Sequence, residues 1–487
     1  MSVNPAFQLR MFIDQREIAS SEQFEVRDPG RLSELVGIVH AGDAGHVLQA
    51  VEAANRAFQT WRQVRVRERV ERVVAAANAM QQHAAELAVL LVREQGMLLR
   101  DTQRDVNNGI RSLKEMAELA EPFLKPQQYD DGESLVRIEK APRGVVAAIV
   151  PWNAPMGLTM GKVGPALAAG NTLVVKPSPH APLAVSRALQ LIADFFPPGT
   201  INVVHGDAEV GPALTRHPLV RMVSFTGGTR TGKAVMAAAA DSVKNVALEL
   251  GGNDAAIVLD DIEPQAVVPE LVKGIFPRSG QVCYAVKRVY VPAPKLDAFF
   301  HVLCAAVNEF RVGHGLDERS TLAPMNNRRQ FDYVRGLVER ARAGGATVAE
   351  LGTPLDPDHW HDGYYVLPTV VKDLAPDSEL VVAEQFGPVI PVVGYGCEDE
   401  ALRFANDSEY GLGSSIWARD TTHALELASR VEAGITFVNS HARTRLGELR
   451  MPFGGVKQSG IGRVRTEVGL AEYIEYHAIS LDRTTCR

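Results

Sequence analysis

The sequence predicts an α/β protein built on two parallel sheets, and three observations carry that expectation. Short, nearly all-apolar runs recur from residue 144 onward, at Val145 to Val150, Thr172 to Val175 and Ile201 to Val204, each ending in turn residues. Helical stretches such as Ala181 to Phe196 lie between them, and apolar strands alternating with helices imply a sheet covered on both faces. The same texture returns at Ala255 to Leu259, Val289 to Val291 and Val389 to Val393, and 487 residues are too many for one ordinary core. A boundary is therefore expected near Gly251-Gly252, the first sheet binding one reactant and the second carrying the nucleophile.

Taken in order, the first 120 residues read as mainly helical. Spaced apolar positions run from Asp43 to Trp61, and an Ala/Val/Leu-rich amphipathic stretch runs from Arg67 to Glu94. A polar, Pro-marked region from Glu121 to Gly132 breaks the pattern. The alternating run Ser134 to Glu139 reads as an exposed strand, and the closing segment Glu472 to Leu481 is a suitable partner for it.

Bulk properties narrow the function. A net charge of −7 gives no basic footprint for nucleic acid. The chain opens without a basic head followed by an apolar run, and no segment approaches the eighteen or so apolar residues of a membrane span. Cysteines 283, 304, 397 and 486 are widely spaced with no Cys-x-x-Cys. That pattern suits a reduced, cytoplasmic setting and offers no metal site.

The chemistry is concentrated in two motifs. Cys283 closes Ser279-Gly280-Gln281-Val282-Cys283, and Glu249 stands in Leu248-Glu249-Leu250-Gly251-Gly252. A thiolate attacks a carbonyl carbon, and a carboxylate activates the water that hydrolyses the resulting thioester. A thiol of pKa about 8.5 is mostly protonated at neutral pH, so such a site is expected to favour the thiolate. Alone, a cysteine is more often an inert buried hydrophobe and a glutamate before two glycines a strand end.

Further motifs lie at strand ends. No Gly-x-Gly-x-x-Gly occurs, but Ser224-Phe225-Thr226-Gly227-Gly228-Thr229 turns from a strand into a helix whose N–H groups can meet phosphate. Pro151-Trp152-Asn153-Ala154-Pro155 follows a strand, and its asparagine amide suits an oxyanion, beside the Cys283 N–H. Lys176-Pro177-Ser178 ends another strand, where ligands of α/β sheets bind. Ordinary readings of these are a glycine turn, a Pro-framed turn and an exposed lysine.

In combination they resemble the aldehyde dehydrogenase superfamily, of the hydrolytic, NAD(P)-dependent kind. Gly164 to Asn171, Glu384-Gln385-Phe386-Gly387-Pro388, Asn439 and Pro452 to Gly460 extend the likeness over nearly the whole chain. The resemblance implies Cys283 as nucleophile, Glu249 as deacylating base and Asn153 as oxyanion donor. It implies NAD as cofactor, with NADP also accommodated, held by Trp152, Lys176, Ser178, Gly227, Gly228, Thr229, Gly232, Leu250, Glu384 and Phe386. Residues 1–120 and 143–250 then form the cofactor domain and 251–465 the catalytic domain. Segments 121–142 and 466–487 form a β extension through which a homodimer or homotetramer assembles.

Departures are informative. Pro179 stands where many relatives place a ribose-binding glutamate, so rejection of a 2′-phosphate is expected to be weaker. Val464 replaces the glutamate of the Ser-Gly-x-Gly-Arg-Glu ending. Ala154 and Gly161 occupy positions that are often bulky aromatics, which widens the substrate tunnel. Arg278, Arg443, Arg445 and Arg450 are candidate anchors for a carboxylate, against the plainer reading of a solvated basic loop. The expected reaction is oxidation of a bulky or carboxylate-bearing aldehyde to its acid. Alternatives are a neutral aromatic aldehyde, a CoA-acylating or phosphorylated-aldehyde enzyme, and an inert binding protein.

Overall fold

The computed structural model describes residues 7–207, 209–443 and 450–485. Five strands run parallel in the first sheet, in the spatial order Asn245–Glu249, Val220–Thr226, Val145–Ile149, Thr172–Lys176, Ile201–Val203. Each reads as a buried apolar run because helices cover both faces. Gly460–Ile461 joins one edge antiparallel, beside Asn245–Glu249.

The other edge adds strands ahead of the helices that make up most of the first 120 residues. Residues 7–40 form strands, and the hairpin Met11–Ile13/Arg16–Ile18 extends the sheet beyond Ile201–Val203. Its turn residues Asp14 and Gln15 both take positive φ, 55° and 58°. That is the backbone a two-residue hairpin needs, made here without the usual glycine, so the turn signal was absent from the sequence. Helices begin only at Ala44–Trp61, which Asp43 caps through the His46 N–H. The amphipathic stretch from Arg67 to Glu94 forms two helices, Val66–Gln82 and Ala84–Gln95, which meet at His83.

The second sheet has seven strands, in the order Thr347–Glu350, Thr369–Lys372, Val389–Tyr395, Val286–Pro292, Asp254–Val258, Gly413–Trp417, Ile435–Val438. All neighbours are parallel except the first pair. The chain passes between the sheets through the turn at residues 250–253. Ser134–Pro142 pairs antiparallel with Ile474–Asp482, as its alternation predicted, and Gln127–Asp130 adds a third strand.

One helix matters for the site. Pro155–Ala169 starts on a proline at its first turn, ends at Gly170 in the left-handed region, and is buried along most of its length. Its small residues bring it hard against Leu99–Phe123: a Cβ on Gly109 would lie 3.1 Å from the Met156 carbonyl, and one on Gly157 3.1 Å from Asp105 Oδ1. The loop carrying Asn153 is thereby pressed between that helix and the sheet. No described helix is long and apolar enough to cross a membrane.

Candidate active site

The carboxyl ends of the parallel strands bring the predicted residues together, where α/β sheets bind ligands. Asn153 follows Val145–Ile149, Lys176 ends Thr172–Lys176, Gly227 follows Val220–Thr226, and Glu249 ends Asn245–Glu249. Cys283 lies in the loop before Val286–Pro292 of the second sheet.

That loop is pinned before the chemistry begins. Arg278, Ser279 and Gly280 all have positive φ, and a side chain at Gly280 would meet the Gly387 carbonyl at 2.2 Å. The Ser279 hydroxyl donates to the Ala323 carbonyl at 2.7 Å. Gln281 donates through Nε2 to the Arg278 and Pro324 carbonyls and accepts from the Asn326 N–H at 2.9 Å. The Asn153 amide, itself buried, donates to the Gln281 carbonyl at 3.1 Å, which sets it against the cysteine loop.

Electrostatics at Cys283 run against the expected thiolate. Burial pushes the thiol up to about 12; Glu384 adds to the rise, and the Lys287 ammonium opposes it. Lys287 Nζ donates to the Val282 and Ala285 carbonyls at 2.5 and 3.3 Å, bracing the loop from beneath. The resting cysteine is therefore a neutral thiol, and its proton must leave as substrate binds.

Glu249 is buried, and its Oε2 has no hydrogen-bond partner among the described residues. Burial raises its carboxyl well above the ordinary range, and the neighbouring Lys162 ammonium pulls the other way. Lys162, lowered by its own burial, donates to Ser224 Oγ at 3.0 Å, and Ser224 Oγ lies 3.0 Å from the Tyr473 hydroxyl. A Cβ on Gly454 would come within 2.8 Å of Glu249 Oε1, so the Phe453-Gly454-Gly455 turn needs glycine to close over the carboxylate.

The cofactor candidates are tested by what their atoms do. Gly228 starts the helix Thr229–Ala240 with no side-chain cap, and a Cβ there would meet nothing within 4 Å, so phosphate oxygens have room at free N–H groups. Lys176 is buried with its pKa lowered to about 8, opposed by Asp207; its Nζ donates to the Pro177 carbonyl at 3.4 Å. Ser178 Oγ accepts from the His180 N–H. Glu384 accepts from the Gly252 N–H at 3.1 Å, and burial raises it to about 7. Phe386, at φ 51°, meets Trp152 edge-on at 5.5 Å. Thr229 neighbours the Tyr410 phenol. Gly232 and Leu250 serve packing, since a Cβ on Gly232 would lie 2.3 Å from Leu250 Cδ2. A buried ammonium, an uncapped helix start and a buried carboxylate together fit a dinucleotide.

Two of the four substrate-side arginines are engaged elsewhere. Arg278 donates to the Asn153 carbonyl at 2.9 Å and to Asp105 Oδ1 at 3.1 Å. Arg443 pairs with Glu270 on the surface. Arg450 is exposed, and Arg445 lies outside the described residues. Ala154 is half-buried, and a Cβ at Gly161 would meet only Ser112 Oγ, at 3.8 Å, which leaves the room expected there.

Several residues of this region escaped sequence reasoning. Lys162 had a signal, a lone charge in the apolar helix Pro155–Ala169, and so did Lys287 in an apolar strand. Asp105 had none, because Arg104-Asp105 reads as an ordinary solvated helix face. His441 looked like part of a basic loop, yet it is buried and hydrogen-bonds the Tyr284 carbonyl at 2.8 Å.

A pinned cysteine, an amide aimed at its loop, a buried carboxylate and a dinucleotide cradle, divided over two parallel sheets, describe an oxidoreductase that works through a thiol. The known families agree: residues 17–479 match the aldehyde dehydrogenase family. The chain is 35% identical over 445 residues to aldehyde dehydrogenase citD of Monascus ruber, covering 91% of this chain and 88% of that one. It is 35% identical over 446 residues to an aldehyde dehydrogenase of Didymella fabae, covering 91% and 89%. Among solved structures, betaine aldehyde dehydrogenase of Staphylococcus aureus in complex with NAD+ superposes with a TM-score of 0.92 at 33% identity, covering 97% of this chain and 95% of that one. The chain belongs to the aldehyde dehydrogenase family. It is an oxidoreductase acting on the aldehyde group.

Proposed function

We propose that this enzyme oxidises a bulky aldehyde to the carboxylic acid with NAD, through Cys283, Asn153 and Glu249. The observation that carries the reading is the Asn153 amide held 3.1 Å from the Gln281 carbonyl, two residues before the thiol. Cys283 Sγ bonds to the aldehyde carbon as the thiol proton passes to solvent water, and the oxygen gains negative charge. The Asn153 amide and the Cys283 N–H receive that charge. NAD, which the Gly227-Gly228 turn, Lys176 and Glu384 would hold, would accept the hydride that leaves the same carbon as the oxyanion re-forms the carbonyl of a thioester. Glu249 then takes a proton from water as the water attacks the thioester carbon, and the acid leaves with the thiol restored. In this reading residues 1–120 and 143–250 serve the cofactor and 251–465 the chemistry. The exposed β extension joins two or four copies.

On the substrate, Arg278 and Arg443, each already paired with a carboxylate, favour a neutral, ring-bearing aldehyde over a carboxylate-bearing one. Comparing kcat/KM for an aldehyde acid and its methyl ester separates the two. A tenfold or greater preference for the acid, about 1.4 kcal/mol, would restore the anionic reading. The catalytic assignment is tested by Cys283→Ala, which is expected to abolish NADH formation while sparing NAD binding measured by fluorescence titration. Cys304→Ala and Cys397→Ala should leave turnover intact. Retention of more than about one per cent of activity in Cys283→Ala would remove the residue from its role, given that covalent catalysis has no other nucleophile here.

A further inference from the structure

We propose that Asp105 and Arg278 form a buried ionic clamp that fixes Asn153 against the nucleophile loop, making Arg278 a positioning residue for the oxyanion donor rather than a substrate anchor. The proposal rests on the assignment of Cys283 and Asn153 made above. Arg278 stands on the nucleophile loop, five residues before Cys283, and its side chain is 13% exposed; that of Asp105 is 2% exposed. One guanidinium nitrogen holds the carbonyl of Asn153 itself, and the other holds Asp105 Oδ1. Asp105 in turn accepts from the N–H groups of Met156 at 3.0 Å and Gly157 at 3.4 Å, in the first turn of the helix that follows Asn153.

Asn153 is thus held on three sides. Its carbonyl is bound by Arg278, the backbone just after it by Asp105, and its amide reaches the Gln281 carbonyl. Helix Leu99–Phe123, the Asn153 loop and the cysteine loop meet at this one ion pair. The planar guanidinium serves two acceptors at a fixed angle, which a lysine cannot do. Arg278 also sits at φ 51° beside Ser279 at φ 59°, a region that non-glycine residues keep only when their surroundings hold them there. Catalysis is sensitive to this restraint, because displacing a group by about 1 Å can cost a hundredfold in rate.

The test is a double-mutant cycle on the full-length enzyme, read by single-turnover NADH formation with a neutral aldehyde. Arg278→Ala is expected to slow that step about ten- to a hundredfold at saturating aldehyde, with little change in KM. Alkylation of Cys283 by iodoacetamide should stay within about twofold of wild type, since it needs no oxyanion donor. In an Asn153→Ala background, the same Arg278→Ala change should cost less than about twofold, because the group it positions is gone. If Arg278→Ala does not fold, Arg278→Lys and Asp105→Asn give the same comparison. Equal losses in both backgrounds, no loss in the wild-type background, or a loss confined to KM for carboxylate-bearing aldehydes would each overturn the clamp. Wild-type turnover in Asn153→Ala would instead sink the assignment beneath it.

Discussion

Burial raises both Glu249 and Cys283 above their ordinary pKa, so each favours its protonated form until a particular stage of the reaction. The base acts as a carboxylate, and its raised pKa means that its ionised fraction grows with rising pH. The deacylation-limited rate is therefore expected to climb through neutral pH into the alkaline range. A rate already flat above about pH 5.5, as an ordinary carboxylate of pKa about 4.3 would give, contradicts the assignment. Glu249→Gln should still release about one equivalent of NADH in stopped flow before stalling, with steady-state turnover down about 10²- to 10⁴-fold. Undiminished steady-state turnover in that variant would show that another group activates the water.

At the far end of the cofactor site, Pro179 removes one carboxylate, yet Asp207 acts on Lys176 in its place. NADP use is expected to carry a penalty below about a hundredfold, or 2.8 kcal/mol, and Asp207→Asn should reduce it by up to about tenfold. Dissociation constants for NAD and NADP, measured on wild type and variant, decide this. An unchanged ratio would clear Asp207 of any part in discrimination.

At the scale of elements, Glu94 ends the helix Ala84–Gln95 and accepts from the N–H groups of Leu183 and Ala184 at 2.6 and 2.8 Å, satisfying the start of the helix Leu183–Ala193. Glu94→Ala leaves both donors buried, at about 1–3 kcal/mol for each group left unsatisfied, and should lower the urea midpoint clearly. Burial raises Glu94 to about 8. A folded pKa above the unfolded value of about 4.3 means that its stabilising share is complete at acid pH and is lost as pH rises through about 8. Glu94→Gln, which cannot ionise, should therefore gain on wild type between about pH 5 and 9, and a constant gap would refute the linkage.

The elements also show what sequence can and cannot disclose. Parallel strands such as Thr172–Lys176 were legible because burial on both faces leaves a continuous apolar run, and the pairing of residue 136 with the closing strand was legible by its alternation. The Met11–Ile18 hairpin was not, because two non-glycine residues adopt its turn. Site residues announced by motif, such as Cys283, Glu249 and Asn153, lie together as their order suggested. Asp105 became meaningful only when a helix fifty residues upstream packed beneath Asn153, a tertiary fact with no local trace.

For the whole molecule, the β extension is the part that a lone protomer leaves uncovered. Tyr129, Tyr476, Ile479 and Leu481 are exposed on it, and Ile474–Asp482 has a free outer edge among the described residues. Unpaired edges and apolar faces of this kind invite another copy. Ile479→Asp with Leu481→Asp is expected to shift the enzyme to smaller species in light scattering after size exclusion. An unchanged mass would place assembly elsewhere.

That strand begins one residue after Tyr473, whose hydroxyl touches Ser224, the hydrogen-bond acceptor of Lys162 beside Glu249. The outer strand and the carboxylate assigned to thioester hydrolysis thus share a tether three side chains long. Were copies to pair through this strand, separating them would reach Glu249 by way of Tyr473, Ser224 and Lys162.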